Sequence, residues 1–489
     1  MSTIINISSI ATATVLQSMH TVDSEFRRSG RTISLMLIGK KTGIDDLPDE
    51  LIREIMFTIM EPSTRSEKVD DKLSIISPIV SENNPITPFP LTRVCRRWRR
   101  IACTTKSLWK SIAIIEPSFK HVHRVKLWLT YGDGYKLDIM LRQSYSVGDE
   151  ERRATAEILT MLVQRIQKWS NVEFHFTENE LPSLIAHHMR HPNPSVLQTA
   201  IISHQSRHMD IKERARDVWG SLQETPLKHL KWISPAPAMA FSSANIQTLN
   251  TSCFTFQVLL DTLRLCPNLS SIDVELLNVP PMDADHLEYR VEYPNLRSVA
   301  MKGHKTDIAT FLRLHCLPSL TSLELDPIDV TSFIHLRGLI LRSECTLRQL
   351  ALEVRNVQAL DVAGWLEQDF FQELETLSIS GAEINDHVLL MLTCPPLRGN
   401  RPTYFEKLKF LFLGQLMSNV DDGTFLRMLG SRFWTPQGAP PKTELEKAGF
   451  LVATKTNPMA MYEVMINSCA ERMAESKDKN WRHWQNPFY

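Results

Sequence analysis

The chain has no two cysteines at C-x-x-C spacing; Cys95, Cys103, Cys253, Cys266, Cys316, Cys345, Cys394 and Cys469 are scattered over 489 residues. That distribution excludes the usual zinc-ribbon and dithiol redox arrangements and fits reduced thiols in a reducing compartment. Net charge is lacking too, since 55 basic side chains cancel 55 acidic ones, which removes a global electrostatic case for nucleic acid or an anionic membrane. No uncharged run of about 20 apolar residues occurs, so no membrane span is expected. The opening MSTIINISSIATATVLQSM lacks the basic leader and long apolar core of a signal peptide. A cytoplasmic or nuclear location is the expectation.

Catalytic signatures are equally absent. There is no G-x-x-x-x-G-K, no G-x-G-x-x-G after a strand, no G-x-S-x-G and no H-E-x-x-H. His187, His188 and His191, with His204 and His208, are the dense histidine clusters, but no accompanying ligand pattern completes a zinc site, so no metal and no cofactor are expected. Cys95 and Cys103 fall on an apolar helix face and read as core residues rather than nucleophiles. A non-catalytic protein follows. A hydrolase or transferase with an unfamiliar site is the weakly supported alternative.

What is present is a folded composition, 43% apolar and 22% charged with only 17 glycines, in a chain long enough for two domains or for one domain plus a solenoid. Asp45-Asp46-Leu47-Pro48-Asp49-Glu50 puts acids at a helix start and proline where its missing N–H costs little. From there Leu47, Leu51, Ile55 and Ile59 recur every four residues, with Ile52 and Met56 beside them, which predicts an amphipathic helix. Residues 61–90 hold five prolines among small polar residues and read as a loop. A second amphipathic helix is predicted from Leu91, with Val94, Cys95, Trp98, Ile101 and Ala102 on its apolar stripe. Its arginines 93, 96, 97, 99 and 100 suit phosphate, an acidic protein partner, or plain solvent exposure.

LPDELIREI (47–55) followed by PLTRVCRRWRRIACTTKSLWKSI (90–112) resembles the two halves of an F-box. The resemblance implies a small three-helix module that docks on the acidic Skp adaptor of a cullin-RING ubiquitin ligase. By position it assigns Leu47, Pro48, Leu51, Ile55, Val94, Cys95 and Trp98 to the adaptor-binding or module-core surface. The departure from the family is the insertion at about 61–89, far longer than the usual link.

The remaining three-quarters repeats itself. An apolar-x-x-apolar-x-apolar pattern begins at Leu269, Leu296, Leu320, Leu347, Leu374 and Leu408, with spacings of 27, 24, 27, 27 and 34 residues. Weaker copies lie at Trp169/Val172/Phe174 and Leu227/Leu230/Trp232, and around 196–202 the register is ambiguous. Helical stretches such as Phe256 to Leu265 and Ile308 to Leu314 separate the copies, and helix is also expected over 157–168 and 459–473. One such unit cannot bury its own apolar face, whereas stacked units share a core and align their strands in a parallel sheet. The alternative is a conventional α/β domain.

The predicted fold class is therefore α plus α/β: a small helical F-box followed by an irregular leucine-rich-repeat-like α/β solenoid with a parallel sheet, resembling the large fungal F-box families. Its expected parts are a partly disordered extension (1–43), the F-box (44–115), a recognition domain (116–470) with a last strand at 445–452, and a tail (471–489). Side chains alternating with the core leucines should form the target-binding face: Asp273, Glu275, Glu324, Asp326 and Glu353, then Phe410 and Phe412. That pattern suits a target with a basic segment and an apolar anchor. The expected function is the substrate receptor of a Skp-cullin-F-box ligase, with an unknown protein as target and no nucleic acid or membrane as partner. A ligase-independent scaffold with a degenerate F-box is the alternative.

Overall fold

The computed structural model describes residues 47–60, 87–177, 185, 196–204, 210–233, 239–277, 291–355, 357–382, 384–393, 405, 407–416, 424–425, 427–428, 431 and 447–452. The N-terminal extension, residues 61–86 of the insertion, His187, His188, His191 and His208, the helix expected at 459–473 and the tail lie outside these residues. Two compact units divide the chain at residues 198 and 199.

In the first unit the acidic first turn of Asp49 and Glu50 opens helix α1 (Asp49–Met60), which buries Ile52 and Met56. The next helix starts before Leu91: Pro88 supplies a preset φ at the first turn of α2 (Pro88–Val94), so the expected loop ends earlier than Phe89. The single helix expected from Leu91 is also corrected. Cys95 adopts an extended backbone, and its Sγ accepts from the Trp98 amide at 3.4 Å, capping a separate α3 (Arg96–Thr104). The apolar spacing runs through the break unchanged, which is why periodicity alone misses it. A 3₁₀ turn (Lys106–Trp109) then leads straight into strand β1 (Ser111–Ile115).

From β1 onward strands alternate with helices: α4 (Phe119–Tyr131), β2 (Leu137–Arg142), α5 (Asp149–Val163) and β3 (Trp169–Phe176). The helix expected over 157–168 begins eight residues earlier, because Asp149, Glu150 and Glu151 favour its positive end. β1, β2 and β3 are parallel, with Ile112, Ile139 and Val172 in one register row and Ile114, Leu141 and Phe174 in another. All six are buried.

The second unit continues with β4 (Thr199–His204), α6 (Asp210–Gln223), β5 (His229–Ile233), β6 (Thr248–Phe254), α7 (Phe256–Leu265) and β7 (Ser271–Leu276). It goes on through β8 (Val291–Glu292), β9 (Ser298–Lys302), α8 (Lys305–Leu314), β10 (His315–Cys316), β11 (Ser322–Ile328) and α9 (Val330–Ser343). β12 (Gln349–Val354), α10 (Ala359–Leu366), β13 (Thr376–Ser380), α11 (Asp386–Leu392), β14 (Phe410–Leu416) and β15 (Lys447–Val452) complete it. Within this unit, apart from β8 and β10, which pair with each other, the strands lie side by side in chain order and run parallel. Among the described residues the parallel strands of each unit close no barrel, and this α/β arrangement is compatible with a solenoid.

The predicted copies fall into register. Ile272, Val299, Leu323, Leu350, Leu377 and Leu411 form one row, and Val274, Met301, Leu325, Leu352, Ile379 and Leu413 the next. Each is buried and contributes on the order of 1.5–3 kcal/mol through lost apolar exposure. The ambiguous copy resolves as Leu197/Ala200/Ile202, since Ala200 and Ile202 pair with Leu230 and Trp232. Ile246/Leu249/Thr251 is a copy missed in the sequence because threonine occupies its third apolar position. In Pro-Asn-Leu, the asparagine tethers its unit to the previous one: Asn268 Nδ2 donates to the Ala244 carbonyl at 2.8 Å and Asn295 Nδ2 to that of Pro267 at 3.0 Å. Helices start at side-chain caps, with Thr255, Asp329 and Asn385 accepting from the amides of Val258, Ser332 and Val388.

Candidate functional site

Two surfaces carry the residues singled out in the sequence. The first belongs to α1, α2 and α3. Asp49, at the start of α1, is clamped by α3: Arg97 Nη2 and Nε donate to its Oδ1 at 2.6 and 2.9 Å, and Arg100 Nη2 to its Oδ2 at 3.1 Å. Arg97 also donates to the Leu47 carbonyl. The Arg97 hydrogen bonds hold the Asp49 carboxyl below its ordinary range, although its desolvation opposes them. Arg99 Nε bonds the Thr92 carbonyl at 2.8 Å. Three of the five arginines are thus engaged within the module; Arg93 and Arg96 are exposed and have no such bond among the described residues.

Beside the buried stripe of Ile52 and Met56 runs a second apolar stripe on α1. Leu51 is 38% exposed, Pro48 is exposed, and Leu47 and Ile55 are half-buried. On α2, Val94 is 53% exposed. Trp98 is 2% exposed and belongs to the module core rather than to its surface, while Cys95 is half-buried at the break between helices. Cys103, expected in the core, is half-buried as well.

The Leu-Trp end of this segment is the structural join. Trp109 is fully buried; its indole N–H donates to the Ala102 carbonyl at 2.8 Å, and its own carbonyl accepts from Trp128 Nε1 at 2.7 Å. Phe89, Trp109 and Trp128 meet edge to face with ring centroids 5.2 to 5.6 Å apart. This aromatic cluster ties α2 and α3 to the first strand-helix unit.

The second surface is the sheet face opposite the leucine rows. One register row reads Asn250, Asp273, Ala300, Glu324, Ala351, Ser378 and Phe412, and a neighbouring one Ser252, Glu275, Lys302 and Asp326. Asp273, Glu275 and Glu324 are exposed, while Asp326, Glu353, Phe410 and Phe412 are half-buried. Desolvation at the sheet surface raises the Asp273 carboxyl above its ordinary range, opposed by Lys231 and aided by Glu275. Asn250 donates to Asp273 and Ser380 to Glu353. Lys302 lies 3.8 Å and Arg355 3.5 Å from Asp326. The expected acidic face is therefore interleaved with cations and with small residues, acidic at Asp273, Glu275 and Glu324 and balanced at Asp326.

At the C-terminal ends of β9 and β11 an open cleft of about 480 Å³ is lined by His304, Lys305, Asp329 and Arg355 among others. Of its charged groups, Lys305 pairs with Asp329 inside the cleft and Arg355 with the neighbouring Asp326, both at 3.5 Å. Among the described residues no group of three or more His, Cys, Asp or Glu is placed to hold a metal ion, and no helix is long and apolar enough to cross a membrane. His204 is a buried residue of β4. Compared with known proteins, the chain matches no family model and no curated protein.

Proposed function

We propose that the chain is an F-box substrate receptor: α1 to α3 engage a Skp-type adaptor, and the leucine-rich-repeat-like strands hold the protein to be ubiquitinated. The observation that carries this reading is the pairing of the two F-box-like sequence halves with a closed helical core, through Asp49 and Arg97, that leaves the apolar side chains Leu51 and Val94 outside. Exposed apolar side chains of this kind mark protein-binding surfaces when they cluster. Leu47, Pro48 and Ile55 extend the docking stripe on α1; Trp98 belongs to the core of the module, and Cys95 caps α3.

The receptor performs no bond chemistry. Holding adaptor and target at once raises the effective concentration of a target lysine near a charged ubiquitin carrier, which is catalysis by proximity. The target matches a basic segment followed by an apolar anchor: Asp273, Glu275 and Glu324 supply the anionic part, and Phe410 and Phe412 the apolar end. Triple charge reversal at Asp273, Glu324 and Glu353 tests this. Partners captured by the wild-type chain are expected to be lost, with adaptor capture retained; unchanged capture of the same partners refutes the assignment of this face.

A further inference from the structure

The loop between β2 and α5 carries three hydroxyls in a row, Ser144, Tyr145 and Ser146, followed by Asp149, Glu150 and Glu151. The surroundings of the three differ. Ser144 is held: its amide donates to Glu151 Oε1 at 2.8 Å, and its hydroxyl to Glu151 Oε2 and the Ser146 carbonyl at 2.5 and 3.0 Å. Tyr145 is 94% exposed, which places the loop tip in solvent. Ser146 is exposed, and no described residue hydrogen-bonds its hydroxyl.

We infer that Ser146 is a phosphorylation site for an acidophilic serine/threonine kinase. A kinase of that class reads carboxylates on the C-terminal side of the acceptor with a basic groove, an electrostatic match that needs exposed acids at fixed spacing. Ser146 has acids three, four and five residues on. Asp149 and Glu150 are exposed, and the described partner of Asp149 is the surface Arg152 at 2.7 Å. Kinases that read a basic residue before the acceptor are disfavoured: Arg142, four residues earlier, lies 3.5 Å from buried Glu173, and Gln143 is buried. Val147 rules out a proline-directed enzyme.

Presentation costs little. Among the described residues, the hydrogen bonds that hold 145–148 to the fold are the Ser146 carbonyl accepting from Ser144 and the Gly148 carbonyl accepting from the Arg152 amide, so the tip enters a kinase cleft by fraying one turn of α5. In the transfer, Ser146 Oγ attacks the γ-phosphorus of MgATP and a new P–Oγ bond forms. The bond from that phosphorus to the β,γ-bridging oxygen breaks, ADP leaves, and the hydroxyl proton passes to the kinase's base. The product is a near-dianion beside three carboxylates.

The test incubates the purified full chain with a recombinant acidophilic kinase and MgATP and reads the segment 143–152 by fragmentation mass spectrometry. Phosphate is expected on Ser146 and absent from the segment in Ser146→Ala. Asp149→Asn with Glu150→Gln, its fold checked by circular dichroism, should slow the reaction by about tenfold or more, the cost of losing one charge-assisted contact. Phosphate on Ser144 instead, an undiminished rate in the double acid variant, or labelling of a free 143–152 peptide but not of the folded chain would each overturn the inference, as would failure of both to be labelled.

Discussion

Replacing Trp109 by alanine should release α2 and α3 from the first strand-helix unit. The side chain is fully buried, packs edge to face against Phe89 and Trp128, and donates to the Ala102 carbonyl. Removing such a side chain costs about 3–5 kcal/mol from transfer and cavity terms together. That corresponds to roughly two to three and a half orders of magnitude in the local opening equilibrium. Trp109→Phe keeps most of the ring contacts and loses the N–H donor, so a cost of about 1–2 kcal/mol is expected. Val94→Ala, at a 53% exposed position, should stay within about 0.5 kcal/mol. Because the chain has two compact units, a single melting curve is a poor assay, and peptide-resolved hydrogen exchange over 96–109 is the suitable one. Trp109→Ala protection within about 1 kcal/mol of wild type would refute the assignment of Trp109 as the join.

Further outcomes follow from individual sites. His315 is 2% exposed, and burial pushes it down to about 4, opposed by its interaction with the Val291 backbone. The unfolded chain therefore binds the extra proton between about pH 6.5 and 4, so the second unit should lose stability as pH falls through that window. His229 and His335, also lowered by burial, add to the same slope, and His315→Phe should reduce it in urea titrations, an unchanged slope contradicting the assignment. Gly381 has φ +75°, and a Cβ there would lie 2.2 Å from the Val354 carbonyl oxygen, so Gly381→Ala should destabilise by about 1–3 kcal/mol or more, read as a lower urea midpoint. Asp49 is held below its ordinary value chiefly by Arg97. Its contribution is present above about pH 4 and lost on acidification through the folded value, and Asp49→Asn should flatten the acid side of the exchange-protection profile over 49–60; an unaltered profile contradicts the clamp.

The parallel sheet was legible because a strand has a strict period of two. Leu320/Leu323/Leu325 and its counterparts share one spacing, and Leu323 and Leu325 stand in register rows with theirs. Thr251 hid one copy, since a threonine on a buried row breaks an apolar pattern without breaking the strand. The division of α2 from α3 was not legible: a cysteine sulfur capping a helix leaves the spacing of Leu91, Val94 and Trp98 intact. Nor did the sequence show that Arg97 and Arg100 are engaged by an aspartate some fifty residues earlier, a long-range pairing with no periodic trace. On the candidate target face the acids could be placed from alternation, but Lys302 facing Asp326 follows from which strands are neighbours.

The most direct test of the receptor reading is a calorimetric titration of the full chain with a purified Skp-type adaptor, comparing wild type with Leu51→Asp and Val94→Asp. Both positions are exposed, so both variants should fold with unchanged circular dichroism. A one-to-one complex is predicted for the wild type. Each buried charge should weaken it by on the order of a hundredfold, the cost of leaving an ion desolvated and unpaired in an apolar contact. A wild-type chain that binds no adaptor, or variants that bind as tightly as wild type, would contradict the docking surface assigned to α1 and α2.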